Sequence, residues 1–289
     1  MKMIPWSKPS LNIKDRRLLN KAFDSTWISG GDYIKKLENF LKKQTKRKFA
    51  FATSSGTTAI HLAYLSLGLK KGDEIIVPSY GYMGCSNVAK LMDLNVKFCD
   101  VDMKSYCLSL KNIKKVITKK TKAVVLINTY GNLGEIFLIS KFLKKKKIFL
   151  IEDAAESLGS VCSKITSGKF GDLSIFSFHA TKNLTTGEGG MLLTDNSFIA
   201  KKIKLFRSHG VDKLRYKHLV FGHNFRLSNL LASIGYSQSK RLSYINKKRL
   251  SLYKLYQKHL DLKKVNLQNF SNNKKAIPWT FALTVKKKN

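Results

Sequence analysis

Apolar residues along this chain keep two rhythms, and the alternation between them sets out the fold. Short runs that are mostly apolar or β-branched, without regular alternation, recur at residues 49–53, 74–77, 96–101, 123–127, 148–151, 173–178 and 191–194. A strand with one wet face alternates apolar and polar positions, so runs of this kind predict strands buried on both faces. Between the runs, apolar residues return at helical spacing. Ile34, Leu37, Phe40 and Leu41 fall on one face with lysines opposite, which predicts a helix over 33–46 capped by Asp32. Further helices are predicted over 12–23, 59–67 (ended by Gly68), about 87–92, 113–117, 136–143, and from a Ser197 cap to about 208, stopped by Gly210. Strand–helix alternation of this kind is the mark of an α/β domain, a mostly parallel sheet flanked by helices.

Outside that alternation, residues 27–31, 78–84 and 211–226 read as loops. Residues 227–260 hold no proline and a single glycine, so they read as one long helix or two broken ones, and 277–285 reads as a strand. The resulting organisation is an N-terminal arm over 1–31, broken by Pro5 and Pro9, a large α/β domain over 32–235, and a partial small C-terminal domain over 236–289.

Composition narrows the classes. The 289 residues are 43% hydrophobic, enough for a sizeable core, yet no apolar run reaches the length of a membrane span. The N-terminus lacks the apolar stretch of a signal peptide, so a cytoplasmic protein with no membrane partner is expected. Cys85, Cys99, Cys107 and Cys162 show no C-x-x-C spacing and no nearby histidines, and read as free thiols in a reducing compartment. No H-E-x-x-H pair is present to support a zinc hydrolase. The net charge of +36 raises the question of nucleic acid. The lysines are dispersed along the chain, Lys far exceeds Arg, and Asn and Ile are frequent, as A/T-rich codon usage would give. The runs Lys144–Lys147 and Lys286–Lys288 fall at element boundaries, so nucleic acid is not an expected partner, whereas a substrate carrying a diphosphate suits the positive field.

Ligands of open α/β sheets bind beyond the carboxyl ends of the strands, and three groups sit at such ends. Ser55-Gly56-Thr57 opens a helix, where free N–H groups and the dipole favour a phosphate; an ordinary capped helix has the same appearance. Asp153 follows the 148–151 strand, where a carboxylate could hold a ring nitrogen protonated or merely cap a helix. Lys182 lies between the end of the 173–178 strand and the loop Thr185-Thr186-Gly187-Glu188-Gly189-Gly190. A lysine there is a surface side chain or an imine-forming amine. A phosphate cradle, a carboxylate and a strand-end lysine, in that order, are the parts that pyridoxal 5'-phosphate requires.

At these residues the chain resembles a known family. Thr53-Ser54-Ser55-Gly56-Thr57-Thr58-Ala59-Ile60-His61, Gly72-Asp73-Glu74-Ile75-Ile76-Val77-Pro78-Ser79-Tyr80, Ile151-Glu152-Asp153-Ala154-Ala155-Glu156 and Ser177-Phe178-His179-Ala180-Thr181-Lys182-Asn183-Leu184 are similar to the DegT/DnrJ/EryC1/StrS nucleotide-sugar aminotransferases, which are fold-type-I pyridoxal phosphate enzymes. The resemblance runs from about Ile4 to the C-terminus. It implies that Lys182 forms the imine with the cofactor and moves the proton, that Asp153 pairs with the pyridine nitrogen, and that Glu156 lies near the ring hydroxyl, where many members have Gln. It further implies that Tyr82 stacks on the ring, that Ser55, Gly56, Thr57 and Ser177 bind the phosphate, and that Asn224 reaches the phosphate of a neighbouring subunit, which requires a homodimer. Trp27-Ile28-Ser29-Gly30, Glu156 and Pro278-Trp279-Thr280-Phe281 are most similar to members that aminate a GDP-linked 4-keto-6-deoxy sugar, with glutamate as donor, for surface polysaccharide synthesis. Dehydratase relatives carry His where this chain has Lys182, which favours transamination. Members continue past the strand corresponding to 279–285, so the small domain is expected to be incomplete, with sugar turnover in question.

Overall fold

The order of strands in the central sheet decides which loops meet, and here it brings five strand ends into one row. The structure, a computed structural model, describes residues 7–212, 214, 216–270 and 275–285. Residues 1–6 of the expected arm and the Lys286–Lys288 run lie outside the described residues. Along the chain come α1 (Ile13–Asp24), α2 (Asp32–Thr45), β1 (Phe49–Thr53), α3 (Gly56–Leu67), β2 (Glu74–Pro78), α4 (Gly84–Leu91) and β3 (Asn95–Cys99). Next are α5 (Leu110–Val116), β4 (Thr121–Ile127), a 3-10 turn (Thr129–Gly131), α6 (Ile136–Lys145), β5 (Phe149–Asp153) and a small ribbon of β6 (Val161–Cys162) and β7 (Ile165–Thr166). The chain continues with β8 (Leu173–Ser177), β9 (Gly190–Thr194), α7 (Ser197–Arg207), α8 (Asn229–Ser239), α9 (Leu242–His259), β10 (Val265–Leu267) and β11 (Leu283–Val285).

The main sheet has seven strands in the order β1-β9-β8-β5-β4-β2-β3. β3, β2, β4, β5 and β8 pair in parallel, while β9 runs antiparallel to both β8 and β1. The apolar runs have a simple cause. Along β4, Ala123, Val125 and Ile127 join one core, which includes Ile60 and Leu62 of α3 and Val88 of α4. Val124 and Leu126, between them, join a second core with Ile113 of α5 and Ile139 and Leu143 of α6. Over residues 123–127, β4 feeds both faces, so neither parity there can be polar. A third core, of Leu37, Leu41, Phe176, Phe178, Met191 and Ala232, seats α2 and α8 on the β1–β9–β8 end.

The arm's helix is held in place electrostatically. Asn12 caps α1 in a capping box with Asp15, and the buried Asp15 carboxylate accepts both terminal nitrogens of Arg241 at 2.7 Å.

Several boundaries differ from expectation. α3 starts at Gly56, three residues ahead of the expected 59, because Ser55 caps it reciprocally with Thr58. α7 is capped by Asn196, whose side chain accepts from Phe198 and Ile199 N–H, instead of by Ser197. The 227–260 stretch breaks at Lys240 and Arg241 into α8 and α9. The strand expected over 277–285 is a strand only at β11, which pairs with β10; ahead of it Pro278 has no N–H for a ladder. No helix among the described residues is long and apolar enough to cross a membrane.

Candidate active site

β1, β8, β5, β4 and β2 all end at one edge of the sheet, since β1 is antiparallel to β9 and so parallel to the others. That edge carries Ser55 and Gly56 after β1, Tyr80 and Tyr82 after β2, Tyr130 after β4, Asp153 at the end of β5, and Lys182 in the loop joining β8 to β9. The β8–β9 loop is anchored from behind. Thr185 N–H donates to Gln238 Oε1 at 3.1 Å from α8, and Arg249 of α9 donates to Thr181 O at 3.2 Å.

Three carboxylates stand within five residues at β5, and strand geometry gives them different surroundings. Glu152 is fully buried and saturated, accepting from Asn128 Nδ2, Gly168 N, Phe170 N, Gly171 N and Ser174 Oγ. Asp153 is also buried, but its side chain has only one hydrogen bond among the described residues, from Ala155 N at 3.1 Å to Oδ1. Burial pushes its carboxyl up to about 6, against the Ala155 hydrogen bond, with the charges of Glu156 raising it and Lys182 lowering it. Glu156 Oε1 lies 3.4 Å from Lys182 Nζ, with both side chains only about an eighth exposed, and its Oε2 accepts Tyr130 N–H at 2.8 Å.

The helix start is equally suggestive. Ser55 Oγ accepts Thr58 N–H at 3.0 Å and Ser55 O accepts Ala59 N–H at 3.2 Å, while Gly56 and Thr57 N–H have no partner among the described residues. A Cβ on Gly56 would stand 3.0 Å from Ser177 Cβ, so glycine is what lets β8 and the helix start close on each other. Gly190 of β9 is tighter still, with Ser55 O at 2.3 Å from the place of a Cβ. A buried carboxylate with no hydrogen-bonded cation, two N–H groups at a helix start without a partner among the described residues and a mostly buried lysine fit the ring nitrogen, phosphate and aldehyde of pyridoxal 5'-phosphate.

The structure thus groups Ser55, Gly56 and Thr57 with Ser177, and Lys182 with Asp153 and Glu156. Tyr82 stands at the same edge and is 80% exposed. Asn224 is exposed, and its Oδ1 accepts Arg226 Nε at 2.9 Å. Its neighbour Phe225 is hooked to the segment between β1 and α3, its carbonyl accepting Ser54 N–H at 2.9 Å.

An aromatic wall stands beside the lysine, and of its members Trp279 lies in a segment that carried the resemblance, whereas Tyr130 was not singled out by motif. Trp279 places its ring 3.7 Å from Lys182 Nζ. Its own position is fixed by Nε1 donating to Thr181 O at 2.9 Å, by N–H donating to Tyr130 O at 3.2 Å, and by Arg249 donating to its carbonyl. Tyr130 stacks on Trp279 with centroids 6.2 Å apart. The available signal was positional: an aromatic just past a strand end, before a glycine, where α/β sheets bind ligands. A cavity of about 550 Å³ opens beside Lys182, lined in part by Lys8, Lys248, Arg249, Tyr253 and Trp279.

Comparison with known proteins accounts for this arrangement. The model of the DegT/DnrJ/EryC1/StrS aminotransferase family matches residues 9–289. The chain belongs to that family. As a DegT/DnrJ/EryC1/StrS member it is 38% identical over 264 residues to GDP-perosamine synthase of Escherichia coli O157:H7, an alignment spanning 90% of this chain and 72% of that protein. Its fold matches the Escherichia coli GDP-4-keto-6-deoxy-D-mannose-3-dehydratase with bound hydrated PLP, at TM-score 0.90 and 26% identity, covering 99% of this chain and 80% of that one. It also matches a Helicobacter pylori aminotransferase involved in the biosynthesis of pseudoaminic acid, at TM-score 0.93 and 26% identity, covering 99% of this chain and 78% of that one.

Proposed function

We propose that this DegT/DnrJ/EryC1/StrS protein is a pyridoxal 5'-phosphate-dependent aminotransferase that converts a nucleotide-linked 4-keto-6-deoxy sugar, GDP-linked and of the perosamine type, to its amino sugar with glutamate as donor. The observation that carries the reading is the buried Asp153 carboxylate, which has no hydrogen-bonded cation of its own and stands beside Lys182. When bound, the cofactor supplies an aldehyde carbon to receive the amino group and a cationic ring that draws electrons from the donor's Cα–H bond.

The chain's own residues divide the work as follows. Asp153 holds the ring nitrogen protonated, because a buried carboxylate gains most from an adjacent cation. Gly56 and Thr57 N–H, with Ser55 and Ser177, hold the phosphate at the start of α3. Tyr82 would cover the cofactor ring. Lys182 would hold the cofactor through its aldehyde and, as an amine, is the group placed to accept and return a proton there. Glu156, itself held by Tyr130 N–H, steers the ammonium of Lys182 when that group is free. The basic and aromatic side chains of the cavity beside Lys182 suit a nucleoside diphosphate.

The reading includes a homodimer in which Asn224 of each subunit reaches the other's phosphate, and a small domain beginning near residue 236. Lys182 itself argues for transamination over dehydration, since a free amine can both bind and release the cofactor. Incubation of the purified protein with cofactor, glutamate and a panel of nucleotide-linked 4-keto-6-deoxy sugars tests it by product mass. An amino sugar formed from the GDP-linked 4-keto-6-deoxymannose substrate is expected. Turnover of none of the panel, with cofactor bound, would overturn it.

A further inference from the structure

A cluster of four aromatic rings begins at Trp279, over Lys182, and runs through Tyr130 to Tyr80 and Tyr106, and two of its hydroxyls are bonded to each other. Tyr80 Oη and Tyr130 Oη are 2.8 Å apart. Tyr106 meets both rings edge-on or tilted, with centroids 5.9 and 6.3 Å away. Tyr130 stacks at 21° on Trp279, which lies over Lys182 Nζ.

Tyr130 adopts a backbone conformation that bulky residues avoid, with φ at +56°. That turn delivers two things at once. It aims Tyr130 N–H at Glu156 Oε2, and it sends the ring toward Trp279 and the phenol toward Tyr80. Strain held in a short turn at a strand end points to a use for the geometry it creates.

Two phenols sharing one hydrogen bond keep one O–H and several lone pairs uncommitted. Neither hydroxyl has a further hydrogen bond among the described residues, and Tyr80 is 44% exposed, so the pair can be reached from solvent. Burial, reinforced by the Tyr80 hydrogen bond, pushes the Tyr130 phenol well above its ordinary range, so it remains a neutral O–H. Aromatic faces for C–H groups, beside O–H groups that both donate and accept, match the alternating surface of a sugar ring.

We propose that the Tyr80–Tyr130 hydroxyl pair binds hydroxyls of the sugar ring of the nucleotide-linked substrate, which makes Tyr130 a specificity-determining residue. The proposal rests on the function put forward above. The test uses holoenzyme with Tyr80→Phe, Tyr130→Phe and the double substitution, which keep the rings and the Tyr130 N–H. Amino transfer from glutamate to the cofactor and from the cofactor to the ketosugar are measured as separate half-reactions. Calorimetry on the apoprotein adds binding of the aminated nucleotide sugar and of GDP alone.

Each single substitution is expected to weaken the ketosugar step and amino-sugar binding by roughly 3–10-fold, with the glutamate step and GDP binding preserved. Equal losses in both half-reactions, or no change in either, would overturn the proposal. If the unsubstituted protein accepts the amino group from glutamate but passes it to no ketosugar, the proposed function fails and the hydroxyl pair with it. If the unsubstituted protein turns over normally and all three variants match it, only the hydroxyl pair is refuted.

Discussion

Asp153 ends β5 with Ala155 N–H on one oxygen and no hydrogen-bonded cation, and its carboxyl is moved from the ordinary 3.8 to about 6 by burial. A raised carboxyl makes the folded apoprotein hold a proton that the unfolded chain has already released. The stability linked to that proton is complete below pH 3.8 and is lost as pH rises through about 6. A displacement of that size corresponds to roughly 2–3 kcal/mol. Asp153→Asn removes the charge and keeps an acceptor for Ala155. The apo variant should therefore be more stable than the unsubstituted apoprotein at pH 8 by up to about 3 kcal/mol, with the difference vanishing below about pH 4, as read from urea unfolding across pH. Its amino transfer should slow by on the order of 10²–10³. An apo variant less stable than the parent at pH 8 would show that the carboxylate already has a partner.

At the scale of elements, strand direction did what local sequence could not. Ser55, Asp153 and Lys182 are separated by about 100 and about 30 residues in the sequence. Asp153 and Lys182 meet at one edge through the parallel pairing of β5 and β8, which the apolar runs made legible, while Ser55 reaches it because β9 is antiparallel to both β8 and β1. The antiparallel entry of β9 was not legible, since Gly190–Thr194 is as apolar as its parallel neighbours. Nor did the sequence separate Glu152 from Asp153. The distinction comes from donors near residues 168–174, which curl back over β5 far from it in the chain. Tyr130 escaped notice because its value lies in a dihedral angle, and 277–285 was over-read as strand because apolar content does not reveal a docking loop.

That docking has its own test. Gly131 sits at φ +95°, and a Cβ there would be 2.0 Å from Ile277 O. Trp279 N–H is bonded to Tyr130 O just beside it. Gly131→Ala should lower stability by about 1–3 kcal/mol and raise hydrogen–deuterium exchange across 275–279. Unchanged exchange in that segment would mean that the turn does not dock it.

Over the whole molecule, the net charge of +36 creates a long-range field that salt screens within about 10 Å at ordinary ionic strength. Such a field speeds the arrival of a diphosphate-bearing substrate more than it tightens its hold. Assembly bears more directly on the reaction. If Asn224 serves the phosphate of the neighbouring subunit, the defects of Lys182→Ala and Asn224→Ala are on different sides of a shared site. Each variant alone should be inactive. Co-folded, they should recover roughly a quarter of the parental activity, because half of the dimers are mixed and each of those holds one intact site of two. No recovery in a preparation shown to contain mixed dimers would place Asn224 in its own subunit's site or outside catalysis.

The central claim is that Lys182 holds pyridoxal 5'-phosphate. Reduction of the cofactor-loaded protein with borohydride, followed by peptide mass mapping, tests it most directly. The account predicts a yellow protein that bleaches on reduction and carries the cofactor's mass on Lys182, and a Lys182→Ala protein that carries none. A protein that stays colourless with added cofactor, or a label that falls on another lysine, would contradict it.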